Sequence, residues 1–204
     1  MKRIGTAALI ASTIGPVQSI LGWVISGSLW PGYDPIRKTI SDLAADDSPV
    51  QSIQTSFFFL GATLTVIGAI SAKSLALPGR ITLLLAGLAT YALAIFTTPS
   101  QTGHSDAHRI AASVSFVLMS AWPVLSMRFD RRYPWVLRPA GAIGATIGLT
   151  LISLWFLSTW LDPNTTLVGL SERVIVTAQV LWLSFTVWVC WVHGNRNAAM
   201  LKTK

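Results

Sequence analysis

Charge is what this chain has least of. Only 11% of its 204 residues are Asp, Glu, Lys or Arg, against roughly 25% in an ordinary soluble domain. Too few charges remain to coat a globule in water, so most of the surface is expected to face lipid. Cysteine is rarer still. A single Cys190 excludes an intrachain disulfide and any multi-cysteine metal site. Histidine occurs three times and acidic residues eight times, against fifteen Lys and Arg. The resulting net charge of +7 suggests nucleic acid only if the basic residues share a solvent-exposed face. They do not, because they cluster at the ends of apolar runs.

Those runs fill the chain, whose mean hydropathy is +0.58. A helix needs about 20 predominantly apolar residues to cross a bilayer. Six segments meet that need: roughly 4–29, 49–72, 79–98, 106–126, 134–160 and 171–192. The expected fold is therefore all-α, a single six-span transmembrane domain over 1–204. The start, MKRIGTAALIASTIGPV, resembles a signal peptide. Its apolar stretch continues to about Leu29 without a small-x-small site, so it reads as an uncleaved first span. Ser48-Pro49-Val50-Gln51 has the form of a capping box with proline at the first helical position. GAIGATIGL places Gly144 and Gly148 in a GxxxG, a signal for close helix contact.

The charges orient the bundle. Lys2, Arg3, Lys73, Arg80, Arg128, Arg131, Arg132, Arg138, Arg196, Lys202 and Lys204 fall on the side that holds both termini. Only Arg37, Lys38, Arg109 and Arg173 fall on the other. The positive-inside rule puts both termini in the cytoplasm and predicts a multi-pass protein of a bacterial cytoplasmic membrane.

Three connections then meet on the extracytoplasmic side. The first, WPGYDPIRKTISDLAADDSP (30–49), is long for a link between neighbouring spans and contains a short helix-like piece, ISDLAA. Ordered long loops are often functional. Ser41 and Asp42 stand out in it. A bland account has Ser41 capping a short interfacial helix with Asp42 in its first turn. The second, TTPSQTGHSDAHR (97–109), holds His104 and His108 four apart, the spacing of paired ligands for a divalent metal such as zinc. If the helix begins at Asp106, His104 precedes it. His108 then lies in the first turn, where the dipole favours a neutral ring. A solvated interfacial histidine pair is the bland account. The third, LDPNTTLVGLSERV (161–174), reads as a loop ending at Ser171 as helix cap. Beyond it, Glu172, Gln179, Thr186 and His193 recur every seven residues, so they lie near one helical face. Lipid contact would be costly for them, and that face should point inward, as helix–helix glue or as the wall of a polar cavity.

PGYDPIRKTISDLAA after the first span, FTTPSQTGHSDAHR entering the fourth and GLSERV opening the last together resemble the bacterial membrane proteins of domain-of-unknown-function family 998, over nearly the whole chain. The resemblance implies a six-span bundle and marks Tyr33, Ser41, Asp42, His108, Glu172 and Arg173.

Three functions fit these features. One is a membrane-embedded hydrolase acting on a lipid or other amphiphile. Ser41, Asp42, His108 and Glu172 would serve acid–base or metal-assisted chemistry. Arg37, Arg109 and Arg173, with Lys38, would hold a phosphate-bearing headgroup. Tyr33 and Gln179 would contribute to the ligand pocket. The second is a binding, transport or sensing protein whose site takes a ligand without turnover. The third is a structural or accessory subunit in which the polar residues are caps and ion pairs, such as Glu172–Arg109 or Asp42–Arg173. The expected site is one cavity shared by His108, Asp42 and the Glu172–Arg173 pair.

Overall fold

The structure, a computed structural model, describes the backbone of residues 4–202 and the side chains of residues 4–196. Six helices are long and apolar enough to cross a membrane: α1 (Thr6–Ser28), α3 (Gln51–Ser71), α4 (Leu77–Ile95), α5 (Asp106–Leu125), α6 (Pro139–Leu161) and α7 (Val168–Lys202). A one-turn helix, α2 (Ile40–Leu43), lies in the first long connection. Among the described residues there are no strands. The chain is a multi-pass membrane protein.

The spans form a closed ring. Each packs against its neighbours in sequence, and α7 packs against α1 to close it. α2 touches α1 and α7 from one end. Lipid tails are as apolar as leucine, so side-chain burial alone does not drive such helices together; close packing and interhelical hydrogen bonds do. Most seams carry such a bond. Thr63 meets Tyr91 at 2.6 Å between α3 and α4, and Thr90 meets Ser115 at 3.0 Å between α4 and α5. Ser120 meets Ser153 at 3.0 Å between α5 and α6, and Thr159 meets Ser171 at 2.6 Å between α6 and α7. Trp188 donates to Thr13 at 3.1 Å where α7 meets α1. Such bonds contribute about 0.6 kcal/mol each on average. The α1–α3 seam uses glycine: a Cβ on Gly22 would stand 2.8 Å from the Phe57 ring.

Several local signals give way to tertiary contacts. α3 begins at Gln51 with Val50 as an N-cap that makes no side-chain bond. The expected capping box is not formed, because the Ser48 hydroxyl donates to Leu43 O and accepts from Val50 N. α7 begins at Val168, so Ser171 lies inside the helix rather than capping it. The 134–160 segment is split into a 3-10 turn (Trp135–Leu137) and α6. Gly144 and Gly148 make no close contact: a Cβ at either would meet nothing within 4 Å.

Candidate site where the first loop meets the fourth and last spans

The site begins with how the 30–49 loop is held. Pro31-Gly32 turns the chain, with Gly32 at φ +78°, a value that favours glycine. Beyond the turn the loop lies over the start of α7. There Gly169 is indispensable to the approach, since a Cβ on it would stand 2.1 Å from Lys38 O and 2.6 Å from Pro35 O. Leu170 N donates to Ile36 O at 3.0 Å across the same contact. Arg173 fastens the loop. Its Nη1 donates to Pro35 O, Lys38 O and Gly169 O at 2.7–2.9 Å, and its Nη2 donates to the Tyr33 hydroxyl. Tyr33 donates in turn to Thr39 O at 2.7 Å. Burial pushes the Tyr33 phenol well above its ordinary range, although Arg173 opposes this, so the group stays neutral and able to donate. Arg173 and Tyr33 are thus spent on backbone carbonyls that would otherwise be buried unpaired.

The anchored loop then makes the one turn of α2. Thr39, not Ser41, is its N-cap. Thr39 Oγ1 accepts from Asp42 N at 3.0 Å and Asp42 Oδ2 accepts from Thr39 N at 2.7 Å, a reciprocal capping box. Burial raises the Asp42 carboxyl above the ordinary carboxylate range, while those bonds and the nearby Lys38 and Arg173 pull it back down. The buried Glu172 carboxylate accepts from Ile40 N, the first residue of the turn. With Thr39 capping one side and Glu172 holding the other, the Ser41 hydroxyl is released from capping duty.

It meets His108. α5 begins at Asp106 with Ser105 as N-cap, so His104 lies ahead of the helix and is exposed, whereas His108 is 5% exposed. α4 ends one residue before Phe96, whose carbonyl therefore lacks an intrahelical partner. His108 Nδ1 lies 2.8 Å from that carbonyl and Nε2 lies 3.0 Å from Ser41 Oγ. A carbonyl only accepts, so Nδ1 carries the proton. In the neutral ring Nε2 is then an acceptor for the Ser41 O–H, which also lies within reach of the Glu172 carboxyl. Serine, imidazole and an orienting acceptor stand in line, the arrangement that activates a hydroxyl nucleophile.

Two cavities meet at this pair. A cleft of about 690 Å³ is lined by Arg37, Lys38, Asp42, His104, His108 and Arg109 among others. A narrower cavity of about 150 Å³ runs between the spans below it. Ser41, Ala112, Phe116 and Glu172 line both. In the cleft, exposed Arg37 pairs with Asp34 at 3.5 Å, and Arg109 lies 4.7 Å above the Trp160 ring. Neither expected ion pair, Glu172–Arg109 or Asp42–Arg173, forms among the described residues, whose only salt bridges are Arg37–Asp34 and Arg132–Asp130.

Glu172, Gln179 and Thr186 all face the bundle, at 5%, 4% and 1% exposure. Gln179 lies deeper than the pair, donating to Phe116 O and Ser120 Oγ, so it is both helix glue and part of the inner wall. His193 meets Arg132 O at the far end. No three His, Cys, Asp or Glu side chains converge on a metal-sized site among the described residues, and both ring nitrogens of His108 are engaged.

Some participants escaped the sequence reading. The Phe96 carbonyl left no side-chain signal. Gly169 was visible only as part of GLSERV. Gln18 and Gln54, which line the inner cavity, are amides in apolar helices, and that rarity was a usable signal.

No curated protein and no solved structure matches the chain. A family model does, that of a "Protein of unknown function (DUF998)", over residues 13–189. That span takes in the anchored loop, the histidine helix and the Glu172–Arg173 segment, and the chain belongs to this family.

Proposed function

We propose that this protein is a membrane-embedded hydrolase of an amphiphilic ester, with Ser41 as nucleophile and His108 as its base. One observation carries the reading: His108 bridges Phe96 O and Ser41 Oγ at the place where a charged cleft adjoins an intramembrane cavity. An ester at that boundary puts its polar head among Arg37, Lys38 and Arg109 and its chain below. Ser41 Oγ attacks the carbonyl as its proton passes to His108 Nε2. The same proton then goes to the departing alcohol, and water resolves the acyl intermediate with His108 again as base. Asp42 and Glu172 hold the turn that carries Ser41. Arg173 and Tyr33 hold the loop that carries the turn. The charge bias supports an extracytoplasmic location for this site.

The test is covalent labelling. A dodecyl fluorophosphonate should modify detergent-purified protein on Ser41, as read by peptide mass spectrometry. Ser41→Ala should abolish labelling, and His108→Ala should slow it about 100-fold or more. Folded wild-type protein that does not label, or labelling that survives in Ser41→Ala, overturns the reading. So does binding of a lauroyl ester without turnover, which would make the site a receptor or carrier.

A further inference from the structure

The cavity beneath Ser41 has features the proposed chemistry leaves unused. Its wall is mostly apolar, with Phe57, Leu64, Leu93 and Leu183. Three polar atoms in that lining are nevertheless buried without a partner: Gln18 Oε1, Gln54 Oε1 and Trp23 Nε1. Gln18 is 8% exposed and Gln54 2%. They belong to α1 and α3, not to the helices that carry Ser41, His108 or Glu172. Gln54 and Trp23 supply an acceptor and a donor, which complement a group that both donates and accepts, such as an amide or a hydroxyl, while the Gln18 amide lies deeper, beside Gly61.

The cavity is also long and open at depth. Its lining on α3 extends from Gln54 to Gly68, about 21 Å at 1.5 Å per residue. Gly15 and Gly68 both line it, and a Cβ on either would meet nothing within 4 Å. Elsewhere on these helices glycine serves close packing, as Gly22 does against Phe57. Gly15 and Gly68 instead leave space unfilled.

We infer that this intramembrane cavity is a binding site for the chain of a single-chain amphiphile, and that Gln54 and Trp23 recognise an amide or hydroxyl on that chain just below its head. Gly68 sets how long the chain can be. The inference rests on the reading of the Ser41 site as one that handles an amphiphile, and it names the class. A bulkier residue at position 68 projects into open space, so it shortens the cavity without displacing a neighbour.

Binding to the Ser41→Ala protein separates this inference from the chemistry. The probes are N-octanoyl-, N-dodecanoyl- and N-hexadecanoylglycine, together with the keto acid in which a methylene replaces the amide N–H of the dodecanoyl compound. Affinity is read from tryptophan fluorescence in maltoside detergent. The amide should bind about tenfold more tightly than the keto acid, because the ketone leaves the buried Gln54 acceptor unpaired. That preference should vanish in a Gln54→Leu variant. Gly68→Leu should lose the hexadecanoyl probe and keep the octanoyl one. Equal binding of amide and keto acid, a preference that persists in Gln54→Leu, or an unchanged chain-length profile in Gly68→Leu each overturns the inference. Amide-selective binding alongside failed fluorophosphonate labelling would sink the hydrolase and leave the chain site standing. Labelling with no chain selectivity would do the reverse.

Discussion

Two arginines, one at each end of the bundle, are handled in opposite ways. At the loop end, Arg173 is 6% exposed and its guanidinium is shared among three carbonyls and a phenol. At the other end, Arg132 is exposed and pairs with Asp130 two residues away, at 2.6 Å. Both are close contacts, yet only the first joins elements distant in sequence. The difference teaches that a hydrogen-bonded cation in this protein matters by what it fastens, not by how near its partner stands. Arg173 ties a twenty-residue connection to a span, and Ser41 inherits its position from that tie. Arg132 ties a turn to itself.

The most forceful way to break the comparison is to remove Arg173. Arg173→Ala leaves Pro35 O and the Tyr33 hydroxyl oxygen without their donor in a buried place, and takes one of two donors from Lys38 O. We expect a loss of about 3–5 kcal/mol, since each buried polar group left unpaired costs about 1–3 kcal/mol, measured by denaturation in mixed micelles with tryptophan fluorescence as the signal. Trp23 lies 5.3 Å below the guanidinium and should report the change. Arg173→Lys should recover only part of it, since an ammonium cannot reproduce the planar fork that serves several carbonyls at once. A loss below about 1 kcal/mol, the range of a surface pair, would erase the distinction between Arg173 and Arg132.

The comparison also sharpens through pH. Asp42 sits within the fastened loop, and burial holds its carboxyl above the ordinary carboxylate range. In the unfolded chain the same group titrates in that ordinary range. Between the two values the folded state holds more proton than the unfolded state, so this group makes stability fall as pH rises. Below the ordinary range both states are protonated and the penalty is absent. Asp42→Asn removes the titration while keeping an oxygen to accept from Thr39 N. Its melting temperature should therefore fall less than that of the wild type as pH rises out of the ordinary carboxylate range. Parallel melting curves for the two proteins would show that the carboxyl is not burdened by its surroundings.

How much of this was legible in the sequence depends on the range of the interaction. The six spans were, because a bilayer imposes a length and a composition that any apolar run must meet. The inward face of Glu172, Gln179 and Thr186 was, because heptad spacing fixes a face whatever the helix packs against. The helix start at Asp106 was, because Ser105 caps it locally. Signals failed where a distant contact outbid a local one. Ser171 looks like a cap, but α7 starts at Val168 so that Gly169 can meet the loop. Ser41 looks like a cap too, but Thr39 takes that duty and leaves it facing His108. The third member of the Ser41–His108 arrangement is a backbone carbonyl, and every residue has one, so no sequence pattern could single out Phe96. The inner cavity is defined by absent side chains at Gly15 and Gly68. A glycine in sequence does not declare whether it admits a neighbour or leaves a void.

The smallest expected effect lies at the far end. Arg132 donates from Nε to Asp130 Oδ2 at 2.8 Å, and Asp130 also accepts from Arg132 N at 2.8 Å. Those bonds hold the Asp130 carboxyl below its ordinary range and the Arg132 guanidinium above its own. The contact is close but faces solvent, where screening and side-chain entropy absorb most of what attraction provides. Arg132→Ala keeps the backbone N–H that Asp130 accepts, so the turn retains one of its bonds. His193 meets the carbonyl of residue 132, not its side chain, and that contact also survives. Denaturation curves for Arg132→Ala and the wild type should superimpose at moderate salt. Lowering the salt should separate them slightly, because exposed charges are least screened there. A loss comparable to that of Arg173→Ala would mean that the Asp130–Arg132 turn fastens more than itself. Reach between elements would then no longer explain which arginines this bundle depends on.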